Sequence, residues 1–143
     1  MMPLGTPAPS SGRSGAAVER RHVLLVDDDR DIRETIEEIL ETEGYPVVTA
    51  KNGLEALALA RADHPAMILL DLFMPVMDGV EFRHRQLEDA GLANIPVVVV
   101  SAATDLAERV RPLRVAGWLE KPLHIDELIE VVARHCAGHP HSA

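Results

Sequence analysis

The chain has 143 residues, 47% of them hydrophobic, and a single cysteine, Cys136. This composition describes one globular domain with short extensions; it excludes a disulfide framework, and no apolar run approaches the ~18 residues of a membrane span. A net charge of −9 with 3% aromatic residues argues against a nucleic-acid surface, which needs a basic stripe or stacking rings.

The N-terminus shows no basic region followed by an apolar one, so no signal peptide is read and a cytoplasmic location is expected. Residues 1–19 are rich in Pro, Gly, Ser and Ala without a period and read as a disordered tail. The ordered domain is expected over 20–137, with a polar tail at 138–143. Val23-Leu24-Leu25-Val26 is an apolar run of strand length, and it ends at Asp27-Asp28-Asp29. Ile32, Ile36, Ile39 and Leu40 then recur at helical spacing, opposite Arg33, Glu34, Glu37, Glu38 and Glu41. Gly44 stands where a helix C-terminus wants a left-handed residue.

Pro46 to Ala50 predicts a second strand and Asn52-Gly53 a turn. Leu54 to Ala62 predicts a helix that buries Leu54, Leu57 and Ala58. Ala66 to Leu70 reads as a third strand, apolar on both faces, as inside a parallel sheet. Asp71 closes that run. A loop carrying Pro75 and Asp78-Gly79 follows, then a helix from Val80 to Glu88. Pro96 to Val100 predicts a fourth strand, ending at Ser101. A helix from Leu106 to about Arg111 is broken or kinked by Pro112. Ala116 to Leu119 predicts the fifth strand and Ile125 to Cys136 the last helix, with Ile125, Leu128, Ile129, Val132 and Ala133 on one face. Five strands alternating with five helices over short crossovers imply a doubly wound α/β domain with a parallel sheet.

In such a sheet the C-terminal ends of all strands share one edge, where open α/β folds bind their ligands. Asp27, Asp28, Asp71, Ser101 and Lys121 all fall there. Three clustered carboxylates repel and call for a cation, and hard oxygen donors in a small site suit Mg²⁺. A carboxylate beside such an ion, flanked by a hydroxyl and an ammonium, is suited to accept a phosphoryl group. Asp71 is the expected nucleophile, with Lys121 neutralising the transferred charge and Ser101 hydrogen-bonding a phosphoryl oxygen.

These residues resemble the receiver domain of two-component response regulators. The resemblance rests on Leu24 to Asp29, on Asp71-Leu72-Phe73-Met74-Pro75-Val76-Met77-Asp78-Gly79, on Val97 to Ser101 and on Trp118-Leu119-Glu120-Lys121-Pro122. It covers about residues 21 to 136. It implies the flavodoxin-like strand order 2-1-3-4-5 and makes Asp71 the phosphoacceptor. Asp27, Asp28 and the backbone carbonyl of Phe73 join Asp71 as Mg²⁺ ligands, and a cis bond is implied at Lys121-Pro122. It further implies a histidine kinase or phosphotransfer protein as donor, an unknown downstream protein as target, and a switch through Ser101 and Trp118. Nucleic-acid and membrane partners are not expected. The chain is expected to act as a stand-alone receiver, catalysing only its own phosphorylation and dephosphorylation.

Departures from the family pattern fall in one region. The segment between Ser101 and Lys121 is short, Pro112 lies inside the fourth helix, and Arg114-Val115 replaces a usual Gly-Ala pair. A short, distorted or mobile fourth helix is expected, and with the larger ring of Trp118 a switch that is weaker or uses another surface. Phe73 and Ala103 flank the path of the attacking water and cannot orient it, which predicts slow autodephosphorylation. Asp29 is expected only as a helix cap. Met67, Met74 and Met77 are read as packing residues, and His135, Cys136, His139 and His141 as ordinary tail residues. Two other readings compete. A binding module that takes no phosphate would be expected to lack Asp28, Asp71 or Lys121. A haloacid-dehalogenase-type phosphatase would want an Asp where Phe73 stands.

Overall fold

Five strands and five α-helices alternate along residues 21–136, the part of the chain that this computed structural model describes. The strands are β1 (Val23–Val26), β2 (Val47–Ala50), β3 (Met67–Leu70), β4 (Val97–Ser101) and β5 (Gly117–Glu120). They form one parallel sheet in the order β2-β1-β3-β4-β5. The helices are α1 (Arg30–Thr42), α2 (Gly53–Ala62), α3 (Gly79–Glu88), α4 (Leu106–Val110) and α5 (Ile125–His135). The expected tails at 1–19 and 138–143, with His139 and His141, lie outside the described residues.

Every residue of β1, β3 and β4 is buried, which is why these strands read as unbroken apolar runs. Alternate side chains serve opposite layers. Leu24, Val26, Ile68, Leu70, Val97 and Val99 pack with Leu57 of α2, Phe82 of α3, and Leu106 and Val110 of α4. Val23, Leu25, Met67, Leu69, Val98 and Val100 pack with Ile36 and Leu40 of α1 and with Leu128 and Val132 of α5. The acidic strand ends are thereby held on one rim of a rigid sheet.

Short polar side chains cap the first three helices. Asp29 accepts from the Asp31 and Ile32 amides, Asn52 from Glu55 and Asp78 from Glu81. Asn52-Gly53 is therefore a helix start rather than a free turn. Gly53 is also a packing position, since a Cβ there would lie 2.8 Å from Met77 Cγ. That contact sets the rotation of α2, whose buried stripe runs through Gly53, Ala56, Leu57 and Ala60. Leu54 and Ala58, expected inside, face solvent. Ile125 is likewise exposed, and the buried stripe of α5 begins at Leu128.

The fourth helix is short, as Pro112 predicts. Five residues of α4 give way to a 3₁₀ turn over Arg111–Leu113, and Arg114 follows with φ 56° and ψ 45°, a left-handed conformation that favours glycine. This end is tied down by a buried side chain on α3. Arg83 donates from Nε to the Leu113 carbonyl (2.9 Å) and from Nη2 to the Arg114 carbonyl (2.8 Å). Its Nη1 donates to Gln86 Oε1 at 2.7 Å, and Gln86 Nε2 in turn reaches the Leu92 and Ile95 carbonyls. Burial pulls the Arg83 pKa down from its ordinary value, and these acceptors offset the desolvation. Sequence reading passed over this pair. The available signal was polar residues at inward positions one and four places after buried Phe82.

Candidate functional site

Asp27 and Asp71 follow directly on β1 and β3, and their amides continue the sheet by donating to Ala50 O and Val26 O. Backbone pairing thus fixes both carboxylates before any side-chain contact forms. Asp27 is 2% exposed and Asp71 6%, while Asp28 faces solvent at the mouth. One oxygen from each of Asp27, Asp28 and Asp71 lies within 4.8 Å of the others. Among the described residues no other His, Cys, Asp or Glu cluster meets that description.

Lys121 enters from the far side of the sheet. Its amide donates to Ser101 O, and the next peptide bond, Lys121-Pro122, is cis as expected. Its Nζ lies 3.1 Å from Asp27 Oδ2 and 3.5 Å from Asp71 Oδ2. One ammonium therefore bridges two buried carboxylates. Burial works against its charge, but the attraction of Asp71 and Asp27 prevails and its pKa is raised. Asp71 responds differently. Burial pushes its pKa up; Lys121 opposes the rise, and the charges of Asp27 and Asp28 add to it, so that the carboxyl is raised to about 6. The cluster carries more negative charge than one lysine neutralises. Three hard oxygen donors with that surplus fit a divalent cation such as Mg²⁺.

Ser101 ends β4, next to β3, and is fully buried; its Oγ accepts from the Ala103 amide at 3.4 Å. The Phe73 amide donates to Asp71 Oδ1 at 3.3 Å. Trp118 points out of the sheet, 45% exposed. Asp27, Asp28, Asp71 and Lys121 are brought together, with Ser101 on the same rim, whereas Asp29 only caps α1. Gly79, expected from the sequence as a turn and helix start, begins α3 and is also a structural requirement of the site. A Cβ at Gly79 would stand 2.5 Å from Asp71 O and 2.8 Å from Leu72 Cα, so the start of α3 presses on the backbone of Asp71.

A family model described as the response regulator receiver domain matches residues 23–133. The chain belongs to that family. This receiver domain is 39% identical over 109 residues to the response regulator MprA of Mycolicibacterium vanbaalenii, covering 75% of this chain and 46% of that protein. The MprA protein of Mycobacterium ulcerans is 38% identical over the same length and coverage. The receiver domain thus spans about half the length of these curated relatives. Among solved structures, the Vibrio cholerae chemotaxis protein CheY4 superposes with a TM-score of 0.75 at 30% identity, covering 82% of this chain and 99% of that one. A putative response regulator from Chloroflexus aurantiacus gives 0.77 at 26% identity, covering 83% and 99%. The strand order and the family therefore agree with the expectation from the sequence. No helix among the described residues is long and apolar enough to cross a membrane.

Proposed function

We propose that this receiver domain accepts a phosphoryl group on Asp71 from a phosphohistidine of a histidine kinase or phosphotransfer protein, in a Mg²⁺-dependent reaction. An Asp71 oxygen attacks phosphorus, the phosphorus–nitrogen bond breaks, and the imidazole leaves with the bonding pair and takes up a proton. The observation that carries this reading is Lys121 Nζ, at 3.1 Å from Asp27 and 3.5 Å from Asp71 beside a cluster of three carboxylates. Lys121 orients and neutralises a phosphoryl oxygen, and Ser101 turns its hydroxyl from the Ala103 amide toward another. Asp27, Asp28, Asp71 and the Phe73 carbonyl are the groups that hold Mg²⁺. When bound, the ion supplies positive charge to the carboxylates and to the transferring oxygens.

Phe73 and Ala103 offer no side-chain hydrogen bond to a water, so hydrolysis of the acyl phosphate is slow. The only chemistry assigned to the domain is its own phosphorylation and dephosphorylation. The product signals by protein contact, through a surface that includes the edge strand β5 and Trp118. Incubation with phosphoramidate or acetyl phosphate and Mg²⁺, read by intact mass, tests the proposal. Wild type gains one phosphoryl mass and Asp71→Asn gains none. A wild type that stays unlabelled favours an interaction module working without phosphorylation.

A further inference from the structure

Phe73 stands two residues after the acceptor and is 53% exposed, an unusual setting for a large apolar ring at the rim of a charged crevice. Its ring has a specific neighbour. The guanidinium carbon of Arg109, on α4, lies 5.6 Å from the ring centroid. That separation is within the ~6 Å over which a cation is attracted to an aromatic face. The guanidinium is fixed in turn by Asp105, whose Oδ1 accepts from Nε at 2.6 Å. Phe73 follows β3 and Arg109 follows β4, and these strands are neighbours in the sheet. The contact therefore crosses the gap between the two strand ends that carry Asp71 and Ser101.

We propose that Arg109 is a positioning residue that holds the Phe73 ring as a strap across this gap, slowing the access of water to phosphorylated Asp71. The proposal rests on the acceptor role of Asp71. In the step it controls, a water oxygen attacks phosphorus and the bond from phosphorus to the Asp71 carboxylate oxygen breaks. The carboxylate keeps the bonding pair, and inorganic phosphate departs with the protons of the water. Arg109 touches none of these atoms and acts through the ring alone.

The test is the lifetime of the acyl phosphate, followed by intact mass after phosphoramidate is removed. Arg109→Ala shortens the lifetime roughly two- to fivefold, the factor that an exposed cation–π contact supports. Phe73→Ala shortens it at least as much, and adding Arg109→Ala to Phe73→Ala changes nothing more. Arg109→Lys, which keeps a cation over the ring, stays closer to wild type than Arg109→Ala does. Thermal midpoints fall by no more than a few degrees, because both side chains are about half exposed. An unchanged lifetime in Arg109→Ala, or additive effects of the two alanine substitutions, overturns the strap while leaving the acceptor reading intact. A wild type that takes no label overturns both.

Discussion

Lys121 Nζ lies 3.1 Å from Asp27 Oδ2, although the two residues are 94 positions apart in the chain. The contact reaches from the end of β5 past β4 and β3 to the end of β1, and Asp71, which follows β3, shares the same ammonium at 3.5 Å. A single side chain thereby offsets the charge of two carboxylates that the strands hold side by side.

Removing that ammonium leaves Asp27 and Asp71 facing each other under little solvent. Lys121→Ala is expected to destabilise the metal-free domain by roughly 2 kcal/mol, less than the ~3–5 kcal/mol of a fully buried pair because Asp71 can take up a proton. Urea unfolding at neutral pH measures the loss, and added Mg²⁺ is expected to narrow it. Equal unfolding midpoints for the variant and wild type without divalent ions would show that the pair is unimportant for stability.

The raised pKa of Asp71 sets a pH dependence. A carboxyl at about 6 in the folded chain and at 3.8 in the unfolded chain binds its proton more tightly when folded. Stability is therefore lost as pH rises from about 4 through 6, and the cost of holding the ionised group reaches about 3 kcal/mol above that window. Asp71→Asn is expected to leave stability at pH 4 unchanged and to raise it toward that limit at pH 7.5. Unfolding curves at both pH values, without divalent ions, check the sign.

The Arg83 guanidinium serves three acceptors, two consecutive carbonyls of the turn after α4 and the Gln86 side chain on its own helix. Arg83→Met fills similar volume but strands the Leu113 and Arg114 carbonyls, at a cost of about 3 kcal/mol. Arg83→Lys is expected to recover little, since an ammonium cannot reproduce the planar fork. Amide exchange should quicken first over residues 106–116. Uniform loss of protection across the domain would contradict the role assigned to Arg83.

Val76 has φ 71° in a loop where the Met77 amide donates to Pro75 O at 2.8 Å. A β-branched residue is strained in that γ-turn geometry. Val76→Gly is expected to stabilise the domain by about 0.5–1 kcal/mol, the relief of strain being larger than glycine's added unfolded-state entropy. Val76 is 75% exposed, so little packing is lost. Thermal unfolding at matched pH provides the check.

Trp118, the single tryptophan, reports on switching. It alternates with Leu119, which faces the core, and its ring is large for inward rotation. Its emission maximum is expected to stay in place when phosphoramidate and Mg²⁺ are added. A shift to shorter wavelength would show that the ring becomes buried.

Local pattern made much of this protein legible. The apolar runs at Val23 and Met67, the helical spacing of Ile32 to Leu40, and the Asp, Ser and Lys that end the strands could be read in order because burial recurs with the period of each element. Parallel topology then put Asp27, Asp28, Asp71, Ser101 and Lys121 on one rim. Tertiary packing decided the rest. It turned α2 so that Leu54 faces water, paired Arg83 with carbonyls some 30 residues away, and set Arg109 over Phe73. These depend on the rotation and closeness of separate elements, which steric fit between their side chains determines and no local period encodes.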